Sequence, residues 1–344
     1  QATIELEPRL QASAYYINLQ DLEYQWGGQL LPELKIKRMI REIPLQFILM
    51  GNLSTSSEQS EFGDNELEWY RTIMKLSGDN YDFKLGLQKI NFGPAQFLRT
   101  LQWFDTLNPL DPTGQSDAVE AALLRFAPHP NLYIWAWGIN NETIIINPLT
   151  IMKDDIRLFT APDPNIRITN QIGGRIIFNY GMSEIATTIF HRTFSGILPS
   201  NENRIAFDIR SEYIIGIWAE IMISLIPENW IINAPKRASS YTFGADYTFP
   251  LGNGLYTVVE HAYSDAGNIF YDNYNVFQAK SRKSMLMLNF PLSIFDNLMN
   301  VSMVDHQNEM ISNTLIWSRS YDHLILNLNV SAIKIKAVEN LQKA

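Results

Sequence analysis

The stretch Asn203-Arg-Ile-Ala-Phe-Asp-Ile-Arg210 places Ile205, Phe207 and Ile209 at every second position, with Arg204, Asp208 and Arg210 between them. Extended chain, whose side chains point alternately to two faces, sorts residues this way; a helix would scatter them around its axis. The same period of two recurs outward in both directions. In Tyr241–Phe249, Tyr241, Phe243, Ala245, Tyr247 and Phe249 oppose Thr242, Gly244, Asp246 and Thr248. Near the C-terminus, Leu324, Leu326, Leu328 and Val330 oppose His323, Ile325, Asn327 and Asn329. Near the N-terminus, Ile4, Leu6, Leu10, Ala12, Ala14 and Tyr16 oppose Glu5, Glu7, Arg9, Gln11 and Ser13.

A soluble β-sandwich also alternates, so composition and turn spacing must separate the two architectures. Charged residues make up 18% of the 344 and aromatics 12%, against the roughly 25% charge usual for soluble domains. That balance suits a protein whose outer surface does not all meet water. No run of about 18 apolar residues is present, which excludes a helical membrane span. The most apolar stretch, Ile214–Ile226, is broken by Glu220 and Ser224. Barrel strands escape this limit, because about 9–11 residues suffice and every second one can be polar. A mean hydropathy of −0.11 then follows naturally.

Short connections, such as Ser77-Gly78-Asp79-Asn80, Gly181-Met182-Ser183 and Leu251-Gly252-Asn253-Gly254, alternate with longer polar ones. The longer set comprises Ser54–Asn65, Gly93–Asp117, Asn140–Asn170, Pro227–Arg237 and Asp265–Asn275. Tight turns at one rim and long loops at the other are the build of transmembrane barrels. The expectation is therefore all-β: a single closed antiparallel transmembrane β-barrel over residues 1–344, with about 18 strands and 16 as the alternative. Residues Ala332–Ala344 are expected to supply the closing strand.

The segment Lys84–Asp117, KLGLQKINFGPAQFLRTLQWFDTLNPLDPTGQSD, resembles one found in porin-like outer-membrane β-barrels of Gram-negative bacteria. There a strand reading R/K-L-G-L-Q-x-I-x-F-G leads into a loop carrying W-F-D-x-x-x-P-x-D-P. Two further blocks, ENRIAFDIRSEYIIGIWAE (202–220) and YTFGADYTFPLGNGLYTVVEHAY (241–263), resemble consecutive hairpins of that family. The resemblance covers about a third of the chain and speaks to fold and location more than to substrate. It implies an integral outer-membrane location, reached as an exported precursor whose signal peptide has been removed. One departure is the C-terminal Gln342-Lys343-Ala344, where outer-membrane barrels usually end in an aromatic residue.

Within residues 93–117, Pro94 suits the first turn of a helix, and Phe97, Leu98, Leu101 and Phe104 follow at roughly helical spacing. A short amphipathic helix is expected, in a loop folded at least partly into the lumen, where its apolar side finds a surface. Arg99, Asp105, Asp111 and Asp117 are then candidates for a constriction that sets charge preference. The plainer reading is that Arg99 and Asp105 pair to pin the loop, while Asp111 starts a turn before Pro112. Alternation nominates Glu5, Glu7, Arg9, Lys84, Arg175, Arg204, Asp208, Arg210, Glu220 and Glu260 as lumen-lining. Both signs are present, so internal ion pairs are as natural as selectivity.

No catalytic residues, metal ligands or cofactors are implied. Cysteine is absent, and neither HExxH, nor an EF-hand loop, nor a phosphate-binding glycine loop occurs. His261 follows Glu260, His191 precedes Arg192 and His306 follows Asp305, and neighbours in a strand point to opposite faces. The net charge of −9 argues against nucleic acid as a partner. The function expected is passive diffusion of small hydrophilic solutes, without enzymatic activity. A non-conducting anchor or docking platform is the alternative, favoured by apolar Ile144, Ile145, Ile146, Leu149 and Ile151 in a supposed surface loop. An outer-membrane hydrolase is the second alternative. Partners would be outer-membrane lipid and lipopolysaccharide, further copies of the chain, or other outer-membrane and periplasmic proteins.

Overall fold

A computed structural model of the chain describes residues 2–19, 21–40, 43–56, 64–104, 118–139, 143–146, 165–195, 200–225, 237–265, 280–321 and 324–335. Eighteen strands account for nearly all of them. The first nine are β1 (Ala2–Leu19), β2 (Asp21–Ile40), β3 (Ile43–Ser56), β4 (Asp64–Ser77), β5 (Tyr81–Gln88), β6 (Val119–His129), β7 (Leu132–Ile139), β8 (Thr143–Ile146) and β9 (Asn165–Tyr180). The remainder are β10 (Ser183–Ser195), β11 (Ser200–Glu212), β12 (Gly216–Leu225), β13 (Arg237–Phe249), β14 (Leu255–Ser264), β15 (Ser281–Pro291), β16 (Asp296–Asp305), β17 (Met310–Ser320) and β18 (Leu324–Ile335).

Each strand pairs antiparallel with the next along the chain, except that β7 and the short β8 lie end to end beside β9. The ends of the sheet meet where β1 pairs with β18 over Leu10–Asn18 and Leu324–Ala332. This seam is parallel, and parity explains why. With β7 and β8 sharing one place, eighteen strands fill seventeen places, and an odd circuit of hairpins brings its first and last strands together pointing the same way. β18 does the closing. It overlaps the expected closing segment only over Ala332–Ile335, and residues 336–344 lie outside the described residues.

Tight connections gather at one rim, joining β4 to β5, β6 to β7, β9 to β10, β11 to β12, β13 to β14 and β15 to β16. The opposite rim carries the longer stretches between β3 and β4, β5 and β6, β8 and β9, β12 and β13, and β14 and β15. Alternation separates the two faces cleanly on β11 and β12. Ile205, Phe207, Ile217 (56% exposed) and Ile221 face out, whereas Arg204, Asp208, Trp218 (3%) and Glu220 (0%) are buried within. Closing the sheet removes free edges and satisfies the ladder hydrogen bonds internally, which a β protein needs in a hydrocarbon layer.

Candidate functional site

Past β5, the chain over residues 89–104 lies against the inner faces of β12, β13 and β14, on the far side of the circuit. Two carboxylates on those strands hold it. Glu220 of β12 accepts N–H groups from Ala95 (2.9 Å) and Leu101 (3.0 Å). Glu260 of β14 accepts from Gln96 (2.6 Å), Phe97 (2.9 Å) and Leu98 (2.6 Å), and the Trp218 indole N–H adds a further bond at 3.2 Å. Hydrogen bonds to a charged acceptor are roughly twice as strong as neutral ones. Both carboxylates are fully buried, and this strap supplies the donors that compensate their desolvation.

Neutral contacts reinforce the grip. The Thr242 hydroxyl of β13 donates to the Leu98 carbonyl and lies 3.0 Å from the Thr100 hydroxyl. The Gln96 amide donates to the Tyr256 hydroxyl (2.8 Å), which in turn donates to Asp246 (2.9 Å). Gly93 is required where the strap begins: its φ is +92°, and a Cβ there would sit 2.3 Å from a Glu220 oxygen.

The strap is not helical, contrary to the spacing of its apolar residues. The N–H groups that would close helical turns go to Glu220 and Glu260 instead. Charged acceptors fixed on another strand outcompete backbone carbonyls. The apolar side chains still find cover, but in two directions. Leu101, Phe92, Trp103 and Phe104 pack with Trp137 of β7 and Phe190 of β10, with Phe92–Trp103 and Phe104–Phe190 edge to face at 5.2 and 5.3 Å. Phe97 and Leu98 pack among Val258, Met285, Met287 and Val301 on β14–β16.

Beneath the aromatic side of the strap, β9–β12 carry ion pairs. Arg175 grips Asp208 through two bonds of 2.6 and 2.8 Å and also donates to Thr188. Glu202 accepts from Arg192, Arg204 (2.7 Å) and Ser224. The Arg204 guanidinium lies over Trp103 and Phe190 at 5.4 and 5.5 Å, and Arg175 lies 5.4 Å from Phe92, so the charged wall and the strap touch directly.

The nominated residues separate into distinct groups. Glu220, Glu260 and Arg99 meet at the strap, where Arg99 donates to the Phe92 carbonyl at 3.2 Å. Arg175 and Asp208 form one pair, and Arg204 joins Glu202. Arg210 is half-exposed near the short-turn rim, pairing with Glu212 and, at 3.4 Å, with Asp246. Lys84 lies on β5 directly opposite Lys75 of β4, whose ammonium pairs with Asp82 at 3.2 Å. Glu5, Glu7 and Arg9 belong to β1, where only the backbone is described, and Asp105, Asp111 and Asp117 lie outside the described residues. The pairing of Arg99 with Asp105 therefore falls outside them too. Glu202, Arg192, Asp246, Thr242 and Tyr256 were not nominated from sequence. Glu202 continues the alternation of residues 203–210 by one step and was within reach; Thr242 and Asp246 lie on the polar face that alternation marks over 241–249, and Tyr256 carries no signal of its own.

No protein-family model matches the sequence, and no curated protein is similar to it in sequence. Solved structures are similar in fold. The anion-selective porin from Comamonas acidovorans superposes with a TM-score of 0.54 at 12% identity, covering 97% of this chain and 98% of that one. OccK9 (OpdG) of Pseudomonas aeruginosa gives 0.59 at 11% identity, with 97% and 94% covered. The outer membrane channel DcaP of Acinetobacter baumannii gives 0.57 at 8% identity, with 96% and 95% covered. The chain has the porin fold. Within it, fixed charges of both signs and the strap lie on the inner side of the sheet. Among the described residues no group of three or more acidic or histidine side chains could hold a metal ion.

Proposed function

We propose that the chain is a passive diffusion channel of the Gram-negative outer membrane for small hydrophilic solutes, with the strap over residues 89–104 as its narrowing element. The observation that carries this reading is the seating of five strap N–H groups on Glu220 and Glu260, two inward-facing carboxylates of an otherwise lipid-compatible cylinder. The short turns face the periplasm and the long connections face outward, the chain having been exported as a precursor with a cleaved leader. Arg99, with Asp105, Asp111 and Asp117 further along the same connection, sets the charge at the narrowest part. Lys84, Arg175, Arg204, Asp208, Arg210, Glu220 and Glu260, with Glu5 and Arg9, line the passage or brace its wall. Mixed signs predict weak rather than strong ion selectivity.

No chemistry is performed in this reading, and lipid and lipopolysaccharide surround the outer belt. Stepwise conductance of the purified, detergent-folded protein in planar bilayers is the expected result; an electrically silent barrel would overturn it. A docking platform remains the second reading, supported by Ile214, Ile294 and Phe295 at the tips of the β11–β12 and β15–β16 turns. The first two are 85% and 96% exposed. Apolar tips of this kind mark contact surfaces.

A further inference from the structure

The inner face of β15–β16 is rich in one kind of side chain. Five of the chain's eleven methionines lie between positions 285 and 310. The period of two turns four of them inward, Met285, Met287, Met299 and Met303, in line with buried Val301 and Asp305. Where the same two strands turn a long aliphatic side chain outward, it is Leu286, Leu288 or Leu298. Packing alone does not account for this sorting, because leucine and methionine have similar volumes and exchange at little cost. What sets methionine apart is its thioether sulfur, a soft and polarisable donor.

Register brings these sulfurs within reach of one another. Met285 stands directly opposite Met303, a placement in which Cβ atoms are about 4.5–5.5 Å apart. Met287 stands opposite Val301 and therefore diagonal to Met303, still within reach of long side chains. Three rotatable bonds let each side chain swing its sulfur toward a common point. On its other flank Met285 is opposite Glu260, whose bonding partners are neutral N–H groups, so its negative charge is not cancelled by them. Met285 and Met287 lie under Phe97 and Leu98 of the strap, whereas Met303 is only half-buried and keeps part of its surface toward the enclosed space.

We infer that this face binds a soft monovalent metal cation, Cu(I) or its analogue Ag(I), through the sulfurs of Met285, Met287 and Met303. Thioether sulfur favours such ions; Mg2+ and Ca2+ take oxygen ligands, and Zn2+ takes thiolate, imidazole or carboxylate. A thioether has no proton to lose when the metal arrives. The Glu260 carboxylate favours a cation beside it, and Lys283, a cation on the same face, is drawn toward Asp305 at 4.0 Å. The site belongs to the wall and is independent of what the passage carries.

Titration of the detergent-folded protein with Ag(I) in chloride-free buffer should show saturable binding, and Cu(I) kept reduced by ascorbate should displace it. Met285→Leu with Met303→Leu conserves volume, should keep the barrel heat-modifiable and should weaken Ag(I) binding about tenfold or more. Met74→Leu with Met182→Leu removes one methionine from the outward face of β4 and one from an exposed turn, and should leave binding unchanged. X-ray absorption at the silver edge of the loaded wild type should show sulfur neighbours, a readout that stands even if the first double variant fails to fold. The inference is overturned if the wild type shows no saturable binding, if the two double variants keep or lose binding alike, or if the silver neighbours are nitrogen and oxygen alone.

Discussion

The wall formed by β9–β12 and the wall formed by β15–β17 are built on the same two-residue period yet distribute polarity differently. On the first, Arg175, Asp208, Glu202 and Arg204 are locked together inside and isoleucines face out. On the second, methionines face inward, and outward Asn300 and Asn313 sit among Leu286, Leu288 and Leu315. Alternation guarantees two unlike faces but does not say which is oily; that depends on what covers each face. Aromatic and charged groups of β9–β12 meet the aromatic half of the strap, while the methionines of β15–β16 meet Phe97 and Leu98, and their flexible side chains fill an irregular seat.

The largest expected effect comes from releasing the strap that spans both walls. Replacing Glu220 and Glu260 together by alanine leaves five N–H groups without acceptors, each worth about 1–3 kcal/mol if kept buried. The strap should detach instead, raising single-channel conductance at least about twofold while the barrel still migrates as a folded, heat-modifiable species. Unchanged conductance would mean that the strap does not limit the passage. Next, Glu202→Gln breaks the charged wall alone by removing the carboxylate that Arg192 and Arg204 share. A loss of about 3–5 kcal/mol is expected in urea unfolding from lipid vesicles. If the loss were no greater than for Met287→Leu on the other wall, the contrast between the walls would not be energetic.

A smaller effect is expected at Ile221, where arginine would face lipid on β12 and cost about 2–4 kcal/mol near the bilayer midplane. The same replacement at Ser302 should cost as much only if that face also meets lipid. Smaller still is Gly244→Ala, whose new methyl would meet the Trp218 indole at 2.2 Å and should cost about 1–3 kcal/mol through overpacking. At Gly138 a Cβ would meet nothing within 4 Å, and alanine there should change stability by less than about 0.5 kcal/mol.

Much of this was legible in the sequence, and the limits have physical causes. Residues 203–210 and 241–249 declare their faces because one set is apolar and the other charged or small, and the structure keeps those faces. Ser284-Met-Leu-Met-Leu-Asn289 declares nothing, because methionine and leucine suit either side. Lumen-facing Glu220 and Glu260 were visible from alternation. Their partners were not, since those lie more than a hundred residues away. The same distance defeated the expected helix: spacing records an apolar side but not the acceptors waiting on another strand. The parallel seam was hidden as well, because it follows from a strand pair, β7 and β8, sharing one place on β9.

The strap's seat has a consequence for assembly. Gln96 finds its acceptor 164 positions later in the sequence, so an incomplete barrel that holds only its early strands has nowhere to lodge this connection. Contacts of such long range form late and slowly. The gate is thus hung only after the doorframe stands, and a half-built ring should be leakier than the finished one.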